Sequence, residues 1–461
     1  MDKARKVPLF QKWLHRIYKR NSAVAHFLTY RIRPAGILLI ILAPATWLVL
    51  PLYAAEPIFQ LRGLIMVLLG ISFLWALTRK ATVKVKRELP RLATAGQPLN
   101  YRVQIHNQGN KKLAGSHLLE INPDNRPTAE NFTWSREPGE ETRNIFDRTL
   151  GYYRWEWLQH NLTLFKQKGT SFVPTLQPDE KKSVEICITP RKRGVITLQD
   201  IRLGLPDPFG IFQRCSRTNN QPGKLIVLPK RYRLPAIHIP GNAQFQLGGE
   251  ATSNNIGQSG DFTSVRDYRP GDPLRHIHWK SWARTGNPIV KEYEDVFFPR
   301  YGLILDTSVP AQDADLFEEA VSVAASFASS IDTRETLLDL MFIRDKAFVF
   351  SAGRGEERID KMLKILAGVS PEPNNNFEAL QKLILRHQDE LTACICIFTN
   401  WCEQRQKTIQ RLHRSGIELK IICICRNIQE AQSHQTQFPS PTPIQWLQAG
   451  RIQQDLMQQA T

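Results

Sequence analysis

The sequence predicts an α/β plus β protein in series: an N-terminal transmembrane helical hairpin, a central β-sandwich and a C-terminal doubly wound α/β sheet. Three observations predict it. Two apolar runs, Ala35 to Tyr53 and Ile58 to Leu77, lie near the N-terminus with four residues between them. From about Val83 to Leu228, apolar and polar residues alternate with period two. Beyond Arg300, continuous apolar strands alternate with helices, the pattern of an open sheet covered on both faces.

Ala35 to Tyr53 carries no charged residue. A helix of that length rises about 28 Å, close to the hydrocarbon thickness of a bilayer. The second run carries one charge, Arg62, a turn from its start, where a long side chain snorkels to the headgroups. Ala54-Ala55-Glu56-Pro57 joins the runs into a tight antiparallel hairpin, and Pro44 and Pro51 kink the first helix without breaking it.

Orientation follows from Lys and Arg. Residues 1–33 hold Lys3, Arg5, Lys6, Lys12, Arg16, Lys19, Arg20, Arg31 and Arg33; Arg79, Lys80, Lys84, Lys86 and Arg87 follow the hairpin; the connection has none. The positive-inside rule then predicts an inner-membrane, multi-pass protein with both termini cytoplasmic. A cleaved signal peptide fits poorly, because the basic region is long and a second apolar span follows at once. In the arm 1–33, Phe10, Trp13, Leu14, Ile17 and Tyr18 recur at helical spacing, with Lys12, Arg16, Lys19 and Arg20 on the other face. That pattern predicts a helix lying on an acidic inner leaflet.

The formal net charge of +18 favours an anionic partner. Most of the excess sits beside the hairpin, which assigns it to lipid and argues against a nucleic-acid partner. No aromatic-basic RNA motif or zinc-finger spacing appears. The seven cysteines, Cys187, Cys215, Cys394, Cys396, Cys402, Cys423 and Cys425, are odd in number and read as free thiols in a reducing compartment. Cys394 with Cys396 and Cys423 with Cys425 lie in apolar strands, where cysteine is a small buried hydrophobe rather than a metal ligand.

The expected domains are the arm 1–33, the hairpin 34–78, the β-sandwich 80–245, a distinctive segment 246–299 and the α/β domain 300–461. In the sandwich, Leu99, Tyr101, Val103 and Ile105 alternate with polar residues, then Asn107 to Asn110 turns the chain. The distinctive segment runs from Gly260-Asp261-Phe262 through Arg266-Asp267-Tyr268-Arg269-Pro270-Gly271-Asp272-Pro273 to Trp279-Lys280-Ser281-Trp282-Ala283-Arg284. Arg-Pro-Gly-Asp-Pro is turn chemistry. Asp261, Arg266, Asp267, Asp272, Lys280 and Arg284 are expected to form an ion-pair network around it, with Trp279 and Trp282 as aromatic anchors. His276 and His278 share a face if the backbone there is a strand, but two ligands do not make a metal site. In the last domain the strand ends expected to meet a ligand are Asp306-Thr307-Ser308 and Thr399-Asn400.

The distinctive segment, followed by Leu305-Asp306-Thr307-Ser308, resembles a bacterial family known as domain of unknown function fifty-eight. The resemblance covers the whole layout and implies two N-terminal membrane helices and a von Willebrand factor A-like domain. It also implies a membrane-bound adaptor role beside a MoxR-type AAA+ ATPase and a transglutaminase-like membrane protein. A von Willebrand A domain implies Mg²⁺ held by hard oxygen ligands at an adhesion-type site. Asp306 and Ser308 match its first loop, but Pro310 stands at the last Ser. Asn374-Asn375-Asn376 stands where a Thr is expected, and Asn400 where an Asp is expected. A degenerate metal site is therefore the expectation.

No phosphate loop, nucleophile elbow or HExxH is present. The expected function is a membrane-anchored interaction protein rather than an enzyme. Two other readings compete: a hydrolase using Asp261, Asp267, Asp272 and the two histidines, and a charge-driven nucleic-acid binder.

Overall fold

The computed structural model describes residues 7–49, 56–235, 261–294, 300–310, 313–331, 337–344, 346–352, 356–372 and 377–458. The chain divides into two units. One comprises Met1–Arg231 with Pro310–Asp315 and Leu363–Ser370; the other comprises Tyr232–Val309, Leu316–Met362 and Pro371–Thr461.

The first unit opens with helices α1 (Leu9–Arg31), α2 (Pro34–Val49) and α3 (Glu56–Thr78). Pro44 sits inside α2 without ending it, as neighbouring-helix contact allows. Helices α2 and α3 pack on each other. Gly36 and Thr46 on α2 and Ile65 and Ser72 on α3 are buried, at spacings that keep each pair on one helix side. Leu38, Ile41, Met66 and Leu74 are among the apolar side chains left exposed, while Leu39, Leu68 and Leu69 are half-buried. Among the described residues one helix is long and apolar enough to cross a membrane, Phe59–Thr78, with only 11% of its apolar window buried. The apolar part of α2, Pro34–Thr46, is shorter. Pro51, Ala54 and Ala55 lie outside the described residues, and Glu56 and Pro57 begin α3.

Strands β1 (Val83–Glu88), β2 (Leu92–Thr94), β3 (Leu99–Asn107) and β4 (His117–Ile121) follow. The chain then turns helical: α4 (Ala129–Trp134), α5 (Ile145–Leu150) and α6 (Tyr152–Leu162). Strands resume with β5 (Phe165–Gln167), β6 (Ser171–Phe172), β7 (Lys181–Pro190), β8 (Gly194–Leu198), β9 (Asp200–Pro206), β10 (Gln213–Arg217), β11 (Asn219–Asn220) and β12 (Gly223–Leu228). They form three sheets, in the orders β11-β1-β3-β7-β5, β10-β9-β4-β6 and β2-β12-β8. The alternation in β3 does what period two requires: Tyr101, Val103 and Ile105 are buried while Asn100, Arg102 and Gln104 face out. The buried faces of all three sheets contribute to one apolar core.

The three inserted helices correct the expectation of an all-strand domain. Residues 122–164 lack the alternation, and their helix starts are capped by local chemistry. Thr128 accepts a hydrogen bond from Asn131 N, and Asn144 accepts one from Asp147 N. The insertion is held by Glu140, which is buried and bonded by Arg154, with Arg154 Nε donating to Oε2 at 2.9 Å. Arg136 and the Glu137 N–H also donate to it, at 2.9 and 3.1 Å.

Helix α1 packs on this insertion, which revises the reading of the arm. Leu14 is buried with Phe132, Trp155 and Leu158. Tyr18 lies edge-on to Phe132 and donates from its hydroxyl to Leu150 O at 3.2 Å. Gln159 donates to Ser22 Oγ at 2.7 Å. Leu14 and Tyr18, expected on a lipid-facing side, are thus taken by protein, while Phe10 and Trp13 stay exposed.

The ends of the helices are tied to one corner of the strands. Arg33 N donates to Ile211 O at 3.0 Å, Gln213 donates to Tyr30 O at 2.8 Å, and Arg79 donates to Pro206 O at 2.9 Å. Arg214 also donates to Leu77 O. Gly36 is required at this corner, since a Cβ there would stand 2.3 Å from Ile211 O.

The second unit carries an isolated antiparallel pair, β13 (Asp261–Asp267) and β14 (Ile289–Glu294), with α7 (Trp279–Thr285) in the connection. Then come β15 (Arg300–Leu305), α8 (Ala314–Ser330), β16 (Leu337–Arg344), β17 (Lys346–Ala352), α9 (Glu356–Ala367) and α10 (Phe377–His387). The chain continues through β18 (Ala393–Phe398), α11 (Glu403–Arg414), β19 (Glu418–Cys425), α12 (Ile428–Gln437), β20 (Ile444–Gln448) and α13 (Ile452–Gln458). Six strands form one sheet in the order β17-β16-β15-β18-β19-β20. Every pairing is parallel except the edge pair β16–β17. Strand β18 is buried at every residue, as both-face cover demands. Strand β20, which the sequence reading did not reach, completes the sheet by burying Trp446 and Leu447.

The Glu140 cluster yields a pH prediction. Burial acts to raise its pKa, but the Arg154 guanidinium, the Glu137 N–H and Arg136 outweigh it and hold the carboxyl down at about 2, against an ordinary value of 4.5. A depressed carboxylate stabilises the fold above its unfolded pKa and loses that contribution as pH falls towards the folded one. Acidification from pH 4.5 towards 2 is expected to loosen the insertion and release α1, seen as a red shift and gain in accessibility of Trp155 fluorescence. A Glu140→Gln variant is expected to lose that acid transition.

Candidate functional site at the carboxyl end of the six-stranded sheet

Strands β15 and β18 are neighbours, and the chain leaves β15 towards one edge of the sheet and β18 towards the other. Ligands of open α/β sheets bind where strand order reverses in this way. The residues at that place are Asp306, Thr307 and Ser308 after β15, and Thr399, Asn400 and Trp401 after β18.

Asp306 is 0% exposed and Arg405 3%. Arg405, in the first turn of α11, places Nε 2.8 Å and Nη2 2.5 Å from Asp306 Oδ2. The other carboxylate oxygen, Oδ1, accepts Ser308 N at 2.9 Å. Arg405 Nη1 donates to Cys402 Sγ at 3.0 Å, and the guanidinium carbon lies 4.7 Å above the Phe377 ring. Burial pushes the Asp306 carboxyl above the ordinary carboxylate range, while Arg405 and the Ser308 N–H act to lower it. Around the pair, Thr307 donates from Oγ1 to Ile343 O at 2.8 Å, and Glu372 N donates to Thr307 O at 2.8 Å.

This arrangement does not fit a divalent cation. Both oxygens of Asp306 are engaged, one of them by a cation that already neutralises it, and hard metals need several free oxygen ligands. Pro310 offers no side-chain oxygen, and Asn374, Asn375 and Asn376 lie outside the described residues. Asn400 is exposed and Ser308 is buried. No group of three or more candidate metal ligands occurs among the described residues.

Arg405 is the residue that sequence reading passed over. Its signal is phase: Arg405, Thr408, Ile409 and Leu412 form the buried side of α11. An arginine within an apolar stripe, in the first turn of a helix where the macrodipole disfavours cations, requires a buried counter-charge.

The distinctive segment holds part of the expected network. Among the described residues of that set, the ion pair is Arg266–Asp272, bidentate at 2.7 and 2.8 Å, and Asp272 Oδ2 also accepts Arg269 N at 2.8 Å. Those bonds hold the Asp272 carboxyl low, at about 2. They brace the turn in which Gly271 takes φ +107°. Arg266 also donates to the Asp267 carbonyl. Gly260 lies outside the described residues, and Tyr268 N bonds Pro288 O. His276 ends a short 3₁₀ turn and His278 precedes α7, so they do not share a strand face. Instead His278 Nδ1 lies 2.6 Å from Ser281 Oγ. Lys280, Ala283 and Arg284 lie on α7 with Trp279 and Trp282, whose rings stack at 5.3 Å. Trp279 is 64% exposed. The cysteines of β18 and β19 are buried free thiols, and burial pushes Cys394 up to about 12.

Comparison with known proteins adds the following. Residues 264–424 match a family described as "Protein of unknown function DUF58". An uncharacterized protein, YeaD of Bacillus subtilis, is 32% identical over 128 residues, 27% of this chain and 31% of that protein. The match therefore spans about a third of that relative's length. Among solved structures, the manganese-loaded TRAP protein of Plasmodium vivax is 12% identical, with a TM-score of 0.25 over 34% of this chain and 72% of that one. The CARDB domain of the PF1109 protein of Pyrococcus furiosus, solved with di-metal ions, is 11% identical, with a TM-score of 0.16 over 32% and 90%. Likeness at those scores carries no argument about fold or metal.

The buried pair predicts an asymmetric mutational response. Asp306→Ala leaves Arg405 charged and unpaired, and is expected to cost about 3–5 kcal/mol in chemical denaturation. Replacing both partners with leucine is expected to recover most of that loss, because a pair of apolar groups needs no counter-charge. Equal losses in the single and double variants would refute this account.

Proposed function

This chain belongs, through residues 264–424, to the DUF58 family of proteins of unknown function, and on that premise we propose that it is a membrane-anchored docking protein. In this reading α2 and α3 form a two-span hairpin in the inner membrane. The soluble units face the cytoplasm. The C-terminal sheet serves as a von Willebrand A-like platform that binds a protein partner without a metal. A MoxR-type AAA+ ATPase is the partner class proposed, alongside a transglutaminase-like membrane protein.

The observation that carries the reading is the Arg405–Asp306 pair. An adhesion-type site needs a free carboxylate and an open metal position at these strand ends. Here a fixed internal guanidinium stands against the carboxylate. Among the described residues of the two strand ends, Asn400 is exposed, a neutral polar group suited to protein contact. The anchor is supported by the apolar, exposed surface of α2 and α3, and the orientation by the basic residues on both sides of the hairpin.

Affinity capture of the full chain from detergent-solubilised native membranes tests the proposal. An AAA+ ATPase is expected to be retained by the wild type, to stay bound in a chelator, and to be lost with Asn400→Lys. Release by the chelator would overturn the metal-free reading. If no ATPase is retained even after gentle crosslinking, the ATPase partnership falls. Extraction of the chain by alkaline carbonate would remove the anchor.

A further inference from the structure

Helix α1 has two apolar sides, and only one of them is covered by protein. At 100° per residue, Leu14, His15, Tyr18 and Ser22, which meet the inserted helices α4 to α6, fall on one side. Leu9, Phe10, Trp13, Val24, Phe27 and Leu28 fall in a sector about 100° wide, roughly 140° round the helix. These six are between 43% and 84% exposed. Exposed Lys12, Arg16 and Lys19 border that stripe along one flank, exposed Arg20 and Arg31 fall within its sector, and α1 contains no Asp or Glu.

We infer that this second side is a lipid-binding surface. Helix α1 lies in the plane of an anionic leaflet, its stripe in the headgroup–acyl boundary and its basic flank against lipid phosphates. Its other side holds the β-domain. The inference rests on the membrane reading of α2 and α3 and extends it from an anchor to a bracket that fixes how the β-domain meets the bilayer.

Two observations choose lipid over another occupant. The stripe leads along the chain directly into the apolar hairpin, since only Ile32 and Arg33 separate α1 from α2. Ile32 is extended, at φ −105° and ψ 127°, so the helix breaks between α1 and α2. The charge is also one-signed: Lys12, Arg16 and Lys19 lie beside the stripe, where an interfacial helix carries cations, while Arg20 and Arg31 lie within its sector on long stems that reach headgroups. A lone buried helix of the β-domain would show neither feature.

The test uses the full chain in proteoliposomes containing phosphatidylglycerol that carries a photoactivatable diazirine, with labelled residues located by mass spectrometry. Label is expected on α2 and α3 and, on α1, at the stripe but not at Leu14 or Tyr18. Arg16→Glu with Arg20→Glu is expected to lower α1 labelling while leaving hairpin labelling unchanged. Each basic contact removed should shift the bound-to-free ratio of α1 by about five-fold. Trp13→Glu with Phe27→Glu, on the side away from the packing contact, should abolish α1 labelling without altering thermal unfolding. Hairpin label without α1 label would overturn the bracket and leave the anchor intact. No label on either would overturn the membrane reading itself. Crosslinks from one α1 to another in place of lipid label would make the stripe a contact between copies, and would also overturn the inference.

Discussion

A guanidinium held against a fully buried carboxylate governs the carboxyl end of the C-terminal sheet. Asp306 ends the central strand and Arg405 begins the helix after its neighbour, so their contact sets the spacing of two strand ends and the entry angle of α11. The cost of removing both charges from water is offset by two guanidinium donors on one carboxylate oxygen, a backbone donor on the other and an aromatic face against the guanidinium. Once these partners are in place, the pocket that this topology opens to a ligand in other proteins is filled from within.

The first unit uses the same solution twice. Glu120 and Arg87 are almost fully buried in the β-domain, joined at 2.8 Å, with the Tyr101 hydroxyl donating to the carboxylate at 2.9 Å. Glu140 and Arg154 play that part in the helical insertion. In each case arginine is the cation, which suits a buried fork of two parallel bonds better than lysine does. Such pairs contribute less to stability than apolar packing of equal volume, but they penalise any alternative arrangement that separates the charges. The insertion is thereby a shaped receptor for α1 rather than a loose excursion between strands.

Some of this was legible from residues alone, for identifiable reasons. Period two in Leu99 to Ile105 reports a half-covered strand, because successive side chains point to opposite faces. The unbroken apolar run at Ala393 to Phe398 reports a strand covered twice. Asp306 and Ser308 were legible as strand-end residues, since the strand before them is apolar and ends at the first charge. The partner was not legible. Arg405 lies far along the chain from Asp306, and no local rule couples an arginine to a carboxylate across a sheet. The inserted helices were missed because a few caps, Thr128 and Asn144 among them, are weak signals inside a long run of strands.

The sequence by itself determined the order of the chain: a basic arm, an apolar hairpin, alternating strands, a turn-rich segment and an α/β sheet. Those features follow from local periodicity and charge, which each segment carries wherever it is placed. Only the tertiary structure decided which side of α1 protein would cover, because Leu14 and Tyr18 look like Phe10 and Trp13 until a receptor surface exists. It also decided the character of the strand-end site. Burial makes a charge depend wholly on its nearest partner, and that partner is chosen by the fold, not by neighbours in the chain.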